Sequence, residues 1–260
     1  EPRRRGNMPV GSPVHRFATV TSTNDEARTL ALGGAAHGTV VLAAEQTRGR
    51  GTKGRTWHSP AGLGLYASFV LRGPGGGPVP FPHILPLAVG LAAADAVREA
   101  SGLETGLKWP NDLVIGGKKL GGILCEAVTG AAGGGFVVAG IGINVGHGPD
   151  DLPEELRPLA TSLRLSGGRA VAVETLFESL CRALDCWYNA LVRGEKRPVV
   201  EAFEARLAPP PGARLRVLTA AGEFTGTGRG LDAEGRLVVE RDGGAGTVAL
   251  DSVLGLAAAP

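Results

Sequence analysis

The chain has 260 residues, 43% of them apolar, and a formal net charge of only +2. That length supports one sizeable core plus a small appendage. The near-neutral balance excludes a global basic field for coating nucleic acid, so any anion site must be local.

The N-terminal stretch EPRRRGN carries cations with no apolar run behind it, so it reads as a basic tail and not as a secretory signal. Met8 is the only methionine, and one expectation is that translation starts there. TSTNDEARTLA (21–31) predicts a helix start, with Thr23 and Glu26 matching a capping box. GTVVLAAEQT (38–47) predicts a buried strand running into a basic loop, and GLGLYASFVLR (62–72) a second strand. GPGGGPVPFP reads as an extended loop, and His83 to Ser101 as a helix rich in Ala and Leu. LKWPNDLVI (107–115), a GGKK turn and LGGILCEAV (120–128) predict paired strands, with another strand in GGGFVVAGIGINV (133–145). Leu176, Leu180, Leu184, Trp187, Tyr188 and Leu191 recur at helical spacing, and a shorter helix is predicted over Val199 to Leu207. APPPGA (208–213) reads as a stiff linker. The short strand-like pieces after it (ARLRVLT, GEFTGTGRG, GRLVVER and GTVALD) predict a small barrel.

No segment reaches membrane-spanning length, so no membrane partner is expected. The five histidines include no pair at helical spacing, which argues against a protein-held zinc site. Three cysteines (Cys125, Cys181, Cys186) without a C-x-x-C pair point away from a disulfide framework and towards a reducing, cytoplasmic setting.

RGRGTKGRTW (48–57) places four cations, Arg48, Arg50, Lys53 and Arg55, among three glycines and closes on Trp57. Gly49 to Gly54 match the dinucleotide pattern G-x-G-x-x-G, but no helix follows, and no acid stands roughly 20 positions on to hold a ribose. No Asp or Glu occurs among the 49 residues between Glu45 and Asp95, so ion pairs within the loop are excluded. A solvated surface loop is the plain alternative. The functional one is a loop whose glycines permit close backbone approach and whose cations neutralise a ligand. The indole can pack against a flat ring, and a nucleotide supplies both ring and phosphate.

Other stretches have plain readings when taken singly. Ser22-Thr23 fits a helix cap, and KWPND fits a turn with a packed indole. GKKLGG fits a hairpin turn with solvated lysines, and GIGIN a buried strand thinned for helix packing. Taken together and in order, the pieces say more. Ser22-Thr23-Asn24, Glu45-Gln46 with GRGTKGRTWHSP (49–60), KWPNDL (108–113), KKLGGILCE (118–126) and GIGINV (140–145) resemble the biotin protein ligase family, the biotin–acetyl-CoA-carboxylase ligases. The resemblance runs from about residue 14 to the end.

That resemblance implies an α+β fold. A mixed β-sheet catalytic domain flanked by helices, like class II aminoacyl-tRNA synthetases, would span 14–208, and a small SH3-like β-barrel 212–260. It implies that biotin is activated by ATP and Mg²⁺ as biotinyl-5′-AMP. The biotinyl group then passes to a lysine of a carboxylase's biotin carboxyl carrier domain. Arg50 and Lys119 match the catalytic contacts to the biotin carboxylate and α-phosphate. Ser22, Thr23, Gln46, Gly49 and Gly121 match the biotin side, and Arg55, Trp57, Asn111 and Asn144 the nucleotide side. Asp112 is the candidate for positioning metal, most of which the phosphates would hold, and the Gly-Ile-Leu and Gly-Ile-Gly-Ile strands would supply apolar walls.

The family loop commonly carries arginine where Thr52 stands, which implies faster adenylate escape unless Lys53 substitutes. The 21 residues before Ser22 are too few for a helix-turn-helix domain, so no nucleic-acid role is expected. Monomer and homodimer both remain open. A lipoate-type ligase of related fold is the alternative, opposed by KWPND and GRG.

Overall fold

The computed structural model describes residues 9–129, 135–244 and 246–259. Met8, the Arg3-Arg4-Arg5 tail and the first two residues of the strand expected over 133–145 lie outside them.

Seven strands form the main sheet: β1 (Val14–Val20), β2 (Val40–Gln46), β3 (Gly64–Leu71), β4 (Gly106–Lys108), β5 (Asp112–Ile115), β6 (Lys118–Thr129) and β7 (Gly135–Asn144). Their order is β1-β2-β3-β7-β6-β5-β4. Only β1 and β2 pair in parallel; the other neighbours are antiparallel, so the sheet is mixed. Four α-helices accompany it: α1 (Thr23–Leu32), α2 (Leu85–Ser101), α3 (Val173–Val192) and α4 (Lys196–Glu204). The predicted strands and helices are present with shifted ends. β1 was not predicted: it is an edge strand whose Arg16 to Thr19 are all exposed, so VHRFATV shows no alternation.

Strand alternation divides the two faces. Along β7, Val137, Ala139, Ile141 and Ile143 enter a large core shared with α2, α3 and α4. On the opposite face Phe136 and Val138 join Ala27 and Ala31 of α1 in a small core. One helix cannot cover a seven-stranded face. Beyond the N-terminal end of α1, this second face opens into a cleft.

The C-terminal sheet holds β8 (Arg214–Thr219), β9 (Gly222–Leu231), β10 (Leu237–Arg241), β11 (Thr247–Leu250) and β12 (Gly255–Ala258), in the antiparallel order β11-β10-β9-β8-β12. Laid flat, its edges would stand about 19 Å apart at ~4.8 Å per strand. The link between β11 and β12 (251–254) reaches only about 17 Å when extended. The sheet must therefore curl. No ladder joins its two edges among the described residues, so it is a curled open sheet and not a closed barrel. β12 was also missed, since its four residues, GLAA, carry no polar–apolar alternation.

Trp109 of KWPND is the packed indole expected of a turn. It is 4% exposed and donates from Nε1 to the Gly235 carbonyl at 2.9 Å, between β9 and β10. The apolar cluster is continuous from the main sheet through Leu207 into Leu215, Leu237 and Leu256.

Candidate active site

Two glycines of β7 make the cleft floor. A Cβ on Gly140 would lie 2.0 Å from Asn24 Oδ1, and one on Gly142 would lie 2.5 Å from Trp57 Nε1. Both side chains therefore rest directly on the strand backbone. The two strands expected to supply apolar walls do reach the cleft, through Ile123, Leu124 and Ile141 beside their glycines. The isoleucine side chains, each 3% exposed, mainly pack into the large core, and Leu124 is the apolar side chain on the cleft face. The cleft is open to solvent and is lined by Ser22, Thr23, Gln46, Arg50, Trp57, Asn111 and Lys119, together with Asn24 and Thr52.

One wall is a continuous chain of polar contacts. The expected capping box is absent: Ser22 is the N-cap without a side-chain bond, and Thr23 is the first helical residue. Gln46 Oε1 instead accepts from the Thr23 amide at 2.8 Å and from its hydroxyl at 3.0 Å. Gln46 Nε2 donates to Ser59 Oγ (2.9 Å), which donates to the Trp57 carbonyl (3.1 Å). On the other side Ser68 Oγ lies 2.8 Å from Thr23 Oγ1 and donates to Asn24 Oδ1 at 2.6 Å. Asn24 Nδ2 donates to Glu126 Oε2 (2.7 Å), which also takes Arg50 Nη2 at 2.6 Å. The chain thus runs from one end of the basic loop to the other through the predicted biotin-side residues.

The loop is itself a small hairpin. Gly51 N donates to Arg55 O at 2.7 Å and Trp57 N to Gly49 O at 2.8 Å, around a turn at Thr52–Gly54. These amides are already bonded, which restricts the expected wrapping of a ligand by backbone N–H groups. Lys53 sits in the left-handed region (φ 59°), a strained place for a side chain. The absence of acids within the loop held, but Arg50 finds carboxylates elsewhere: Asp25 Oδ1 at 2.9 Å and Glu126.

The opposite wall comes from the β5–β6 hairpin. Gly122, Leu124 and Glu126 share the cleft face, so unbroken alternation would bury Lys119 and expose Leu120. The register shifts between Leu113 and Val114, leaving Leu120 unmatched. This bulge inverts the phase. Leu120 enters the core at 0% exposure, and Lys119 turns to the cleft. Its Nζ lies 2.7 Å from Asp112 Oδ1 and 5.4 Å from the centroid of the Trp57 ring. Lys108 stands opposite Asp112 across β4–β5. Burial holds its ammonium below the usual lysine range, and the nearby Lys119 and Arg55 add to this against the pull of Asp112. The Trp57 Nε1–H is buried and has no acceptor among the described residues.

The remaining predicted residues lie outside the lining. Gly49 and Gly121 lie in the backbone behind it. Arg55 is exposed and folds back onto Thr52. Asn144, 5% exposed, donates to Thr161 O at 2.9 Å and ties down the segment whose Leu159 and Thr161 flank the Lys119 backbone. Asp112 is paired with Lys119. Reasoning from sequence missed Asn24, Asp25, Ser68 and Glu126 as site residues. The available signal was an acid, Glu126, two and four residues beyond Leu124 and Gly122 on one strand face.

A cation on either side of a glycine floor, with neutral polar groups between, makes this a small-molecule cleft of the kind that suits an anionic ligand. A family model described as the Biotin/lipoate A/B protein ligase family matches residues 16–144. The bifunctional ligase/repressor BirA of Bacillus subtilis is 35% identical over 237 residues, covering 90% of this chain and 71% of that protein. The biotin–[acetyl-CoA-carboxylase] ligase of Mycobacterium tuberculosis is 36% identical over 235 residues, covering 87% and 82%. The Aquifex aeolicus biotin protein ligase, solved in complex with biotin and ATP, superposes with a TM-score of 0.80 at 26% identity, covering 95% of this chain and 100% of that one. The chain belongs to the biotin/lipoate A/B protein ligase family.

Proposed function

We propose that the chain is an ATP-dependent biotin protein ligase of the cytoplasm. It joins biotin to ATP as biotinyl-5′-AMP and transfers the biotinyl group to a lysine of a carboxylase's biotin carboxyl carrier domain. The observation that carries this reading is the meeting of Arg50 and Lys119, from separate elements, in one cleft with Ser22, Thr23 and Gln46. In the first step the biotin carboxylate oxygen bonds to the α-phosphorus and pyrophosphate leaves. Both reactants are anions, and fixed cations offset their repulsion without reorganising during the reaction. Arg50 and Lys119 supply that charge.

The Ser22 hydroxyl has no protein partner among the described residues and lines the cleft beside Thr23 and Gln46, a set suited to a ureido ring. The orphan Trp57 Nε1–H favours a ligand acceptor, since an unmet buried donor costs about 1–3 kcal/mol. In the second step the acceptor amine attacks the acyl carbon and AMP leaves. The loop hairpin, lying along the cleft, limits the water that would hydrolyse the anhydride.

The protein residues do not make a metal site. Among the described residues no three His, Cys, Asp or Glu side chains converge, and Asp112 is engaged by Lys119. Mg²⁺ on this reading is part of the nucleotide substrate, borne by its phosphates. The unpaired cysteines support a reducing compartment. The proline run at 208–213 is the proposed boundary of the catalytic domain. The test is biotin- and Mg·ATP-dependent labelling of a carrier domain, with lipoate as the competing acid. Labelling with lipoate but not biotin would overturn the reading.

A further inference from the structure

Arg50 projects from a loop that contains nothing able to fix it. Its Nη2 is gripped from outside, by Glu126 Oε2 of β6 at 2.6 Å and by Asp25 Oδ1 in the first turn of α1 at 2.9 Å. Glu126 is itself oriented: the same oxygen takes Asn24 Nδ2 at 2.7 Å, and Asn24 is seated on Gly140 and held by Ser68. A guanidinium has five N–H donors. The Nε and Nη1 donors of Arg50 have no protein partner among the described residues. The grip on Nη2 therefore fixes the group while leaving the Nη1 and Nε N–H donors for a ligand anion.

We infer that Glu126, oriented by Asn24 and assisted by Asp25, is the positioning residue of Arg50 and thereby pins the basic loop along the cleft. This rests on Arg50 as the anion-holding residue proposed above. Competition between these carboxylates and a substrate is the opposite possibility. The Nη1 donors, which neither carboxylate takes, argue against it, because a ligand anion can be held there while Nη2 stays gripped.

The first experiment needs no substrate. Limited trypsin digestion of the full chain is followed at the cuts after Lys53 and Arg55. Glu126→Gln keeps the acceptor for Asn24 and removes the charge, and it is expected to speed both cuts about fivefold, the scale of one partly exposed ion pair. Arg50→Ala should do the same, and the double variant no more than either. Asp25→Asn, at a half-exposed site, should give a smaller increase in the same direction and serves if Glu126→Gln fails to fold. In the second experiment Glu126→Gln raises KM for biotin and the amount of diffusible biotinyl-AMP more than it lowers kcat. Unchanged cutting, or effects of Glu126→Gln and Arg50→Ala that multiply, would overturn the inference. A faster cut in a protein that labels no carrier would instead sink the proposed function and leave the grip standing.

Discussion

Arg50 and Lys119 line the same cleft but are supported differently. Lys119 stands on a hairpin whose ladder, bulge and flanking segment 159–161 fix the backbone on both sides, and its carboxylate partner, Asp112, is on the paired strand. Arg50 stands on a loop tied by its own hairpin bonds, by Arg48 N to the Thr21 carbonyl at 2.9 Å, and by side chains that reach in from Glu126, Asp25 and Ser59. A cation on a sheet is placed by the fold. A cation on a loop must be placed by other side chains. The two also differ in how each wall can be damaged, which orders the following expectations.

The largest effect is expected from Lys119→Ala. It removes a preorganised charge that the fold alone positions, and carrier labelling should fall at least about 100-fold. Retention of more than about a tenth of the activity would show that the hairpin cation is dispensable. A parallel melt is needed, because Asp112 loses its partner. Gly142→Ala comes next. Its Cβ would meet the Trp57 indole at 2.5 Å, and displacing that ring costs about 1–3 kcal/mol. KM for ATP should rise about tenfold with a change in tryptophan fluorescence, while KM for biotin moves little.

Thr52→Arg adds charge on the loop wall, where Thr52 lines the cleft. It should slow the escape of biotinyl-AMP about threefold, measured by trapping the diffusible adenylate. No slowing would mean that Lys53 already supplies this charge.

The smallest effect is on stability with pH. His37 Nδ1 accepts from Arg72 N at 3.0 Å, and His147 is fully buried with neither ring nitrogen bonded among the described residues. Burial lowers both imidazoles from the ordinary 6.5. Below that value the unfolded chain binds protons that the fold refuses, so Tm should fall as pH drops below 6.5 and stay flat above it. Because His147 packs near His58 at the loop's end, with ring centroids 6.3 Å apart, His147→Leu should flatten part of that slope. A Tm indifferent to pH between about 5 and 8 would contradict the buried neutral rings.

Much of this was legible in the residue order. The glycine-spaced isoleucines, the GGKK turn and the spacing of Leu176 to Leu191 each gave an element of the expected kind. Seven of the residues read from the motifs as site residues line the cleft: Ser22, Thr23, Gln46, Arg50, Trp57, Asn111 and Lys119. The failures have local causes. VHRFATV is an exposed edge, and GLAA is too short to show a period. Thr23 matches a capping box by spacing, yet its hydroxyl is taken by Gln46, 23 residues away. Asn144 sits in a motif and serves the backbone of Thr161.

The sequence by itself determined which strands are buried, where the cations lie and that no acid within the basic loop can neutralise them. It could do so because periodicity, turn chemistry and the absence of Asp and Glu are properties of neighbouring residues. Only the tertiary structure decided that Leu120 is skipped so that Lys119 turns to the cleft, and that Glu126 and Asp25 reach Arg50 from 76 and 25 residues away. Those outcomes depend on strand register and on helix placement over a sheet, which no local pattern encodes.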